Sequence, residues 1–148
     1  MKIRPLIPAD LNDLQRMING LAAHHGDVAL PLGPEMLENL VSVTPWFTVL
    51  VAEVPDGKVT GYAAMLPTGQ LQFGRLGIDI HHLFVEPEAR GSGTGRALVQ
   101  ACIRHAKAQG CTYVSVGTHP DNRIVHRFYE THGFARRTGQ GPRFGINL

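Results

Sequence analysis

The sequence lacks the features that mark several large classes of protein. It has two cysteines in 148 residues and no Cys-x-x-Cys pair, so neither a disulfide framework nor a zinc site is predicted. No apolar run approaches the roughly 18 residues that a membrane-spanning helix needs. The opening residues, MKIRPLIPADLND, contain no apolar core of a signal peptide. We therefore expect a cytoplasmic protein with reduced cysteines, no membrane association and no bound metal.

A strong charge of either sign is also missing. The formal net charge of +2 at pH 7 is too small to indicate a nucleic-acid partner. The charges are nevertheless unevenly distributed, because residues 90–127 carry six Lys or Arg against one acid, whereas residues 1–89 carry five against ten. This asymmetry favours an anionic ligand on one part of the molecule. Two solvated faces without any ligand remain the alternative.

The length and composition indicate one globular domain covering residues 1–148, with 43% hydrophobic residues available for a core. Asp10 is predicted to cap the first helix, and Ile124, Val125 and Phe128 are predicted to face inward from the last one. The patterns predict the following elements in chain order: a strand at KIRPL, helices after Asp10 and Pro34, strands at 46–54, 59–66 and 76–85, a helix up to Gln109, a strand at 112–118, a helix at 122–131, and an antiparallel pair formed by FARRT and RFGINL.

The strand–helix–strand unit at residues 76–118 indicates how part of the sheet is built. Such a crossover is right-handed and joins parallel strands, whereas the Asp56-Gly57 turn joins antiparallel ones. The fold class is therefore α+β, with a mixed sheet.

A glycine-rich segment, EARGSGTGRALV at residues 88–99, precedes the helix of this unit. Small residues let backbone N–H groups approach an anion closely at a helix N-terminus, so the segment favours a phosphate compound. It is not a Walker loop, because no Lys-Ser or Lys-Thr closes it. The dinucleotide pattern fails too, because Arg96 or Leu98 stands where a small residue is required. A glycine-rich turn with no ligand is the alternative.

Two short motifs occur within this order of elements. The six residues 90–95, RGSGTG, fit the pattern [QR]-x-x-G-x-[GA] and follow LFVEPEA. Further on come Asn122, the run FYE at 128–130 and Gly133-Phe134. Both segments resemble those of the GNAT family of N-acetyltransferases, and the resemblance covers essentially the whole chain. It implies the GNAT fold: a mixed central sheet of about six to seven strands, about four helices and a parallel βαβ unit that binds acetyl-CoA.

The resemblance also implies which residues bind acetyl-CoA, the expected co-substrate. The loop amides and the helix N-terminus near Thr94 would bind the pyrophosphate, with help from Arg90 and Arg96. The backbone of residues 83–85 would pair with the pantetheine arm like an added strand. The full set is Leu83, Phe84, Val85, Arg90, Gly91, Ser92, Gly93, Thr94, Gly95, Arg96 and Asn122.

The implied reaction is direct transfer of the acetyl group to a primary amine, which needs one group to accept the amine proton and another to protonate the leaving thiolate. Tyr129 matches the family's general acid, and packing between helix and sheet is its alternative role. Asp79 and His81 are candidates for the base, and they share one face if the strand is regular. A bulge of the kind common in the family would reverse that assignment.

The closest layout within the family is that of the diamine and thialysine acetyltransferases. Those enzymes carry an acidic residue where His81 stands, so a polyamine acceptor is in doubt. His24, His25 and Asp27 are candidates to contact the acceptor, or else form an exposed polar loop. A homodimer acting on a small-molecule amine is expected. A protein or peptide N-acetyltransferase and a catalytically silent acyl-CoA sensor are the alternatives, and DNA binding is a more distant one.

Overall fold

The computed structural model describes residues 1–138 and 142–148. These residues divide into a first unit, Met1–Gly117, and a second unit, Thr118–Leu148. No helix within the described ranges combines the length and the apolarity needed to cross a membrane. The elements of the first unit are β1 Lys2–Pro5, α1 Leu11–His24, α2 Pro34–Leu40, β2 Thr48–Glu53, β3 Val59–Gln70, β4 Arg75–Val85, α3 Thr94–Ala108 and β5 Tyr113–Val116; the second unit contains α4 Arg123–Thr131.

The five strands form one sheet in the order β1-β2-β3-β4-β5. Neighbouring strands are antiparallel except β4 and β5, which are parallel, as the crossover rule predicts. The mixed sheet and the four α-helices confirm the predicted α+β fold class. The prediction of a single domain stays a prediction.

Helices α1 and α3 cover opposite faces of the sheet. Side chains alternate along β3, so Tyr62 lies on one face and Gly61 on the other. Tyr62 belongs to a buried apolar cluster that includes Leu14 and Met17 of α1. A Cβ atom at Gly61 would meet the backbone oxygen of Phe84 on β4 at 2.9 Å and Leu98 of α3 at 3.3 Å. The neighbouring strand and α3 together therefore favour glycine here.

A bulge in β4 changes which side chains share a face. Met65 of β3 pairs with Ile80, but the adjacent Ala64 pairs with His82, so His81 is an extra residue. Beyond the bulge the alternation is shifted by one. Asp79 therefore shares its face with His82, and not with His81 as a regular strand would require.

The predicted strand pair FARRT and RFGINL is wrong. Residues 134–138 and 142–148 contain no strand, so the sheet has five strands in the described part of the chain instead of six to seven. Phe144, Ile146 and Leu148 alternate as in a half-buried strand, yet all three are exposed. Alternation indicates a strand only where a partner strand and a core are present to pair with it.

Two further elements differ from the predictions. Strand β3 extends beyond its predicted end at residue 66 to Gln70, because the added segment pairs with β4. In α4, Ile124 is 84% exposed, while Val125 and Phe128 are half-buried and Tyr129 is buried. The inward face follows the i, i+3, i+4 positions that start at Val125, and Ile124 lies outside it.

Asp10 stands at the N-cap position of α1 as predicted, but its side chain makes no capping bond to that helix. Instead, both carboxylate oxygens accept hydrogen bonds from the Arg4 guanidinium, at 2.6 and 2.9 Å, and one accepts from the backbone N–H of Ile7 at 2.9 Å. Arg4 also pairs with Glu53 on β2. The bond with Arg4 lowers the pKa of the buried Asp10 carboxyl below its usual 3.8.

We expect Asp10→Asn to lower the free energy of unfolding at pH 7 by about 2 kcal/mol, the typical value of hydrogen bonds to a charged group. Because the folded pKa of Asp10 lies below the unfolded value, its contribution is complete above about pH 4 and is lost as the pH falls further. Urea unfolding from pH 7 to pH 2 should therefore show the free energies of unfolding of the two proteins converging in acid.

The control is Asp13→Asn, because Asp13 forms an exposed ion pair with Arg16. This substitution should change the free energy of unfolding by less than about 1 kcal/mol. A constant difference down to pH 2 would contradict the expectation.

Candidate active site

The glycine-rich loop lies between β4 and the first turn of α3, which begins at Thr94. Gly91 and Gly93 have φ angles of +77° and +87°, a region that other residues rarely adopt. A Cβ atom at either glycine would meet no atom within 4 Å, so the space beside the loop is open. Small residues, open space and a helix N-terminus together fit the pyrophosphate that the sequence predicts here.

Hydrogen bonds within the loop and ion pairs just before it hold the loop in place. The Ser92 hydroxyl donates to the carbonyl oxygen of Ala89 at 2.6 Å and shares a hydrogen bond with the Thr94 hydroxyl at 2.8 Å. Glu86, just upstream, is buried and pairs with Arg16 of α1 and with Lys58 at 3.4 Å. The loop is thus anchored to the rest of the first unit through charged pairs at its base.

Two arginines flank the loop. The Arg90 side chain donates from Nε to the carbonyl oxygen of Val85 at 3.0 Å, and its guanidinium lies 5.8 Å from the centre of the Phe84 ring. Arg96 is exposed on the first turn of α3. The two positive charges flank the loop in the chain, and their predicted role in neutralising a pyrophosphate stays a prediction.

The edge of β4 that faces β5 becomes free before the strand ends. The parallel pairing runs from Gly77 to Ile80, and in the described part of the chain no strand pairs with residues 81–85 on that side. On the other side, Leu83, Phe84 and Val85 remain paired with β3. Backbone groups along this edge can bind an extended ligand in the manner of an added strand.

A histidine pair occupies the bulge of β4. The ring of exposed His81 stacks on that of His82, with 4.3 Å between the centroids, and lies 5.4 Å from the ring of Phe47. His82 is half-buried, and its Nδ1 lies 3.0 Å from the hydroxyl oxygen of Tyr62, a residue that is 1% exposed. The contact between Tyr62 and His82 is not predicted from the sequence.

Burial sets the protonation of this pair. The pKa of His82 is lowered to about 4, first because burial disfavours the charged ring and then because His81 and His25 repel a further positive charge. Burial also raises the pKa of the Tyr62 hydroxyl. At neutral pH the pair is therefore an uncharged imidazole hydrogen-bonded to an intact phenol.

The other catalytic candidate on β4 and the acceptor candidates lie in different surroundings. Asp79 is half-buried and accepts a hydrogen bond from the Ser115 hydroxyl at 2.8 Å. His24 and His25, at the end of α1, and Asp27, just beyond it, are exposed. His25 is near enough to His82 to influence its pKa.

The second unit contains the two remaining predicted residues. The ring of buried Tyr129 packs between those of Phe128 and Phe134, at 5.2 and 5.3 Å. Asn122 caps α4, because its side-chain oxygen accepts a hydrogen bond from the backbone N–H of Val125 at 3.2 Å. The cap gives Asn122 a structural role, and its predicted role in binding acetyl-CoA stays a prediction.

The described residues offer no metal site, because no cluster of three or more His, Cys, Asp or Glu side chains among them is arranged to hold a metal ion. Cys102 is buried, and burial raises the pKa of its thiol to about 12. A thiol that stays protonated is a poor nucleophile, so Cys102 is assigned to the core.

Comparison with known proteins connects this geometry to one family. The family model described as "Acetyltransferase (GNAT) family" matches residues 24–134. A mycothiol acetyltransferase of Cellulomonas flavigena is 28% identical over 143 residues, which are 90% of this chain and 40% of that protein. The uncharacterized N-acetyltransferase YhfO of Bacillus subtilis is 33% identical over 104 residues, 70% of this chain and 65% of that protein. The chain thus spans about two fifths of the length of the mycothiol acetyltransferase.

A solved structure shows the same fold. The crystal structure of an acetyltransferase from Trypanosoma brucei superposes with a TM-score of 0.75 at 24% identity and covers 98% of this chain and 99% of that one. At this identity the likeness concerns the fold alone.

Proposed function

The chain belongs to the acetyltransferase (GNAT) family, and on this premise we propose that it transfers the acetyl group of acetyl-CoA to a primary amine of a small molecule by direct attack. One observation carries the proposal. A glycine loop with two left-handed residues opens α3, directly after a strand whose edge lacks a β5 partner beyond Ile80. An anion site and a free strand edge in this order suit a pyrophosphate joined to an extended arm.

The chain's own groups account for binding of the co-substrate. The loop amides of residues 90–95 and the N-terminus of α3 bind the pyrophosphate, and Arg90 and Arg96 neutralise its charge. The backbone of residues 83–85 binds the pantetheine arm. When bound, acetyl-CoA supplies an acetyl group activated as a thioester.

Two proton transfers are assigned to side chains. An alkyl amine is protonated at neutral pH, so a base must take its proton before attack. His81 and Asp79 are the candidates, and the exposure of His81 supports it over Asp79, whose carboxylate already accepts from Ser115. Tyr129 protonates the departing thiolate; its support is the motif that it shares with the family.

The proposed acceptor of the acetyl group is a small-molecule amine. A relative named mycothiol acetyltransferase supports a small molecule over a protein as the acceptor. Exposed His24, His25 and Asp27 are proposed to contact it. A diamine or thialysine acceptor is the narrower form of the proposal, supported by the layout of the sequence and opposed by His81 in place of an acid. We further propose a homodimer that acts in the cytoplasm, where free Cys102 and Cys111 remain reduced.

A panel of amines tests the proposal. Acetyl-CoA is mixed with the protein and with amino sugars, diamines, thialysine or lysine-containing peptides, and thiol release is followed. We expect turnover on at least one small amine to exceed that on every peptide by about tenfold or more. Turnover confined to peptides would overturn the small-molecule assignment. Binding of acetyl-CoA without turnover on any amine would overturn the enzymatic one and favour an acyl-CoA sensor.

A further inference from the structure

The hydrogen bond between Tyr62 and His82 determines where the imidazole carries its proton. Tyr62 is 1% exposed, and within the described residues its hydroxyl makes no hydrogen bond except that to Nδ1 of His82. A buried hydroxyl that fails to donate gives up the hydrogen bond that water would supply in the unfolded chain, which is unfavourable. The hydroxyl therefore donates to Nδ1, which must be unprotonated. The proton of the neutral ring then lies on Nε2.

The ring is held neutral as well as in one tautomer. Burial and the nearby His81 and His25 keep the pKa of His82 at about 4, so the ring carries no charge at neutral pH. Because Nδ1 accepts from Tyr62, the neutral ring presents Nε2–H as a hydrogen-bond donor, and its low pKa makes it a poor proton acceptor. His82 is thus suited to polarise an oxygen atom and unsuited to serve as the base.

The position of His82 along β4 identifies the oxygen. An arm that begins at the loop of residues 90–95 and pairs with residues 85 to 83 in turn reaches His82 next. His82 is also the second residue after Ile80, where the pairing with β5 ends. The reactive end of the proposed co-substrate is therefore expected at this residue.

We infer that His82 donates a hydrogen bond from Nε2 to the carbonyl oxygen of the transferred acetyl group, and that Tyr62 is the positioning residue that fixes the required tautomer. This inference rests on the proposed function. Negative charge develops on that oxygen as the amine attacks, so a donor already in place stabilises the transition state more than the ground state. No proton leaves His82 in this step.

The tautomer is measured on the protein without any substrate. We expect the ¹⁵N chemical shifts of labelled histidine to show an Nε2–H tautomer for His82 that does not titrate between pH 5.5 and pH 8. The His82→Gln variant assigns the signal by removing it. Tyr62→Phe, which keeps the ring, should convert the signal to a mixture of tautomers. An Nδ1–H tautomer in the unmodified protein, or titration within this range, would overturn the inference.

Two variants of His82 distinguish hydrogen-bond donation by Nε2 from a role of the ring in packing alone. In His82→Asn the side chain can replace Nδ1 as the partner of Tyr62 but does not reach as far as Nε2. In His82→Gln the amide N–H reaches the position of Nε2. We expect single-turnover acetyl transfer to fall about 10²- to 10³-fold for Asn, the typical loss of one such donor, and less than about tenfold for Gln. Equal losses, no losses or a more active Asn variant would each contradict donation by Nε2.

The role of Tyr62 has its own control. We expect Tyr62→Phe to slow single-turnover transfer by less than the roughly 10²- to 10³-fold loss of the donor itself, with unchanged affinity for acetyl-CoA, because a mixture of tautomers still contains molecules with Nε2–H. Tyr113→Phe, on β5 where the ring lies under the Arg75 guanidinium, should leave the rate unchanged. Equal rates for the two variants would remove Tyr62 from the proposal. Absence of turnover with every amine would instead overturn the proposed function, since the tautomer is read independently.

Discussion

Replacing Tyr129 with Phe is expected to lower the single-turnover rate of acetyl transfer by about one to four orders of magnitude, the range typical of general acid catalysis. The thiolate of coenzyme A resembles that of cysteine, whose pKa is about 8.5, so it can leave unaided but leaves faster when a phenol protonates it. The substitution removes the hydroxyl and keeps the ring. Affinity for acetyl-CoA should therefore change little.

The aromatic packing of Tyr129 makes this test specific. Its ring contacts those of Phe128 and Phe134, and a phenylalanine preserves both contacts. Loss of the hydroxyl should change stability by no more than about one hydrogen bond, roughly 1 kcal/mol. A rate close to that of the unmodified protein, measured with the chemical step rate-limiting, would show that this hydroxyl is not the acid. A lower melting temperature with an unchanged rate would assign Tyr129 to packing alone.

Local signals in the sequence predicted the loop and most of the elements. The positive φ angles of Gly91 and Gly93 occur where the glycine pattern indicated a tight approach to a ligand. The crossover rule predicted the parallel pair of β4 and β5. The loop depends on residues that are close in the chain, and the direction of β5 follows from a general rule for strand–helix–strand connections. Both can therefore be predicted without knowledge of the tertiary structure.

The features that the sequence could not predict depend on pairing between distant segments. The bulge at His81 exists because Ala64 and Met65 pair with His82 and Ile80. No pattern within β4 alone reveals that register, and only the resemblance to the family offered a bulge as an alternative to a regular strand. The contact between Tyr62 and His82 follows from the same register, across 20 positions of sequence. The sequence therefore indicates a catalytic role for His81 and gives no sign of the half-buried imidazole of His82 beside it, which is hydrogen-bonded to Tyr62.

The dependence on a distant partner strand also explains why the strand predicted at residues 143–148 is wrong. The alternation of Phe144, Ile146 and Leu148 is as regular as that of a true strand, yet these side chains are exposed. In β3, by contrast, Pro67 and Gly69 look like loop residues and are nevertheless paired. In both places the presence or absence of a partner strand overrides local propensity.

The second substitution with a large expected effect lies in the glycine-rich loop. We expect Gly93→Val to weaken the binding of coenzyme A at least about tenfold, which corresponds to about 1.4 kcal/mol. Gly93 has a φ of +87° at the start of α3, where a β-branched residue is strained by roughly 1–2 kcal/mol. The added side chain would also fill the open space in which the pyrophosphate is proposed to bind.

A matched glycine at the other end of the same helix distinguishes backbone strain from steric blocking of the pyrophosphate site. Gly110 has a φ of +75°, and a Cβ atom there would meet no atom within 4 Å, as at Gly93. Gly110→Val therefore introduces similar backbone strain far along the chain from the loop, and both variants should lose similar stability by thermal unfolding. Calorimetry with coenzyme A should then show weaker binding for Gly93→Val alone. Equal affinities in the two folded variants would mean that the backbone of residues 90–95 does not bind the pyrophosphate, and equal losses would attribute the effect to strain in α3.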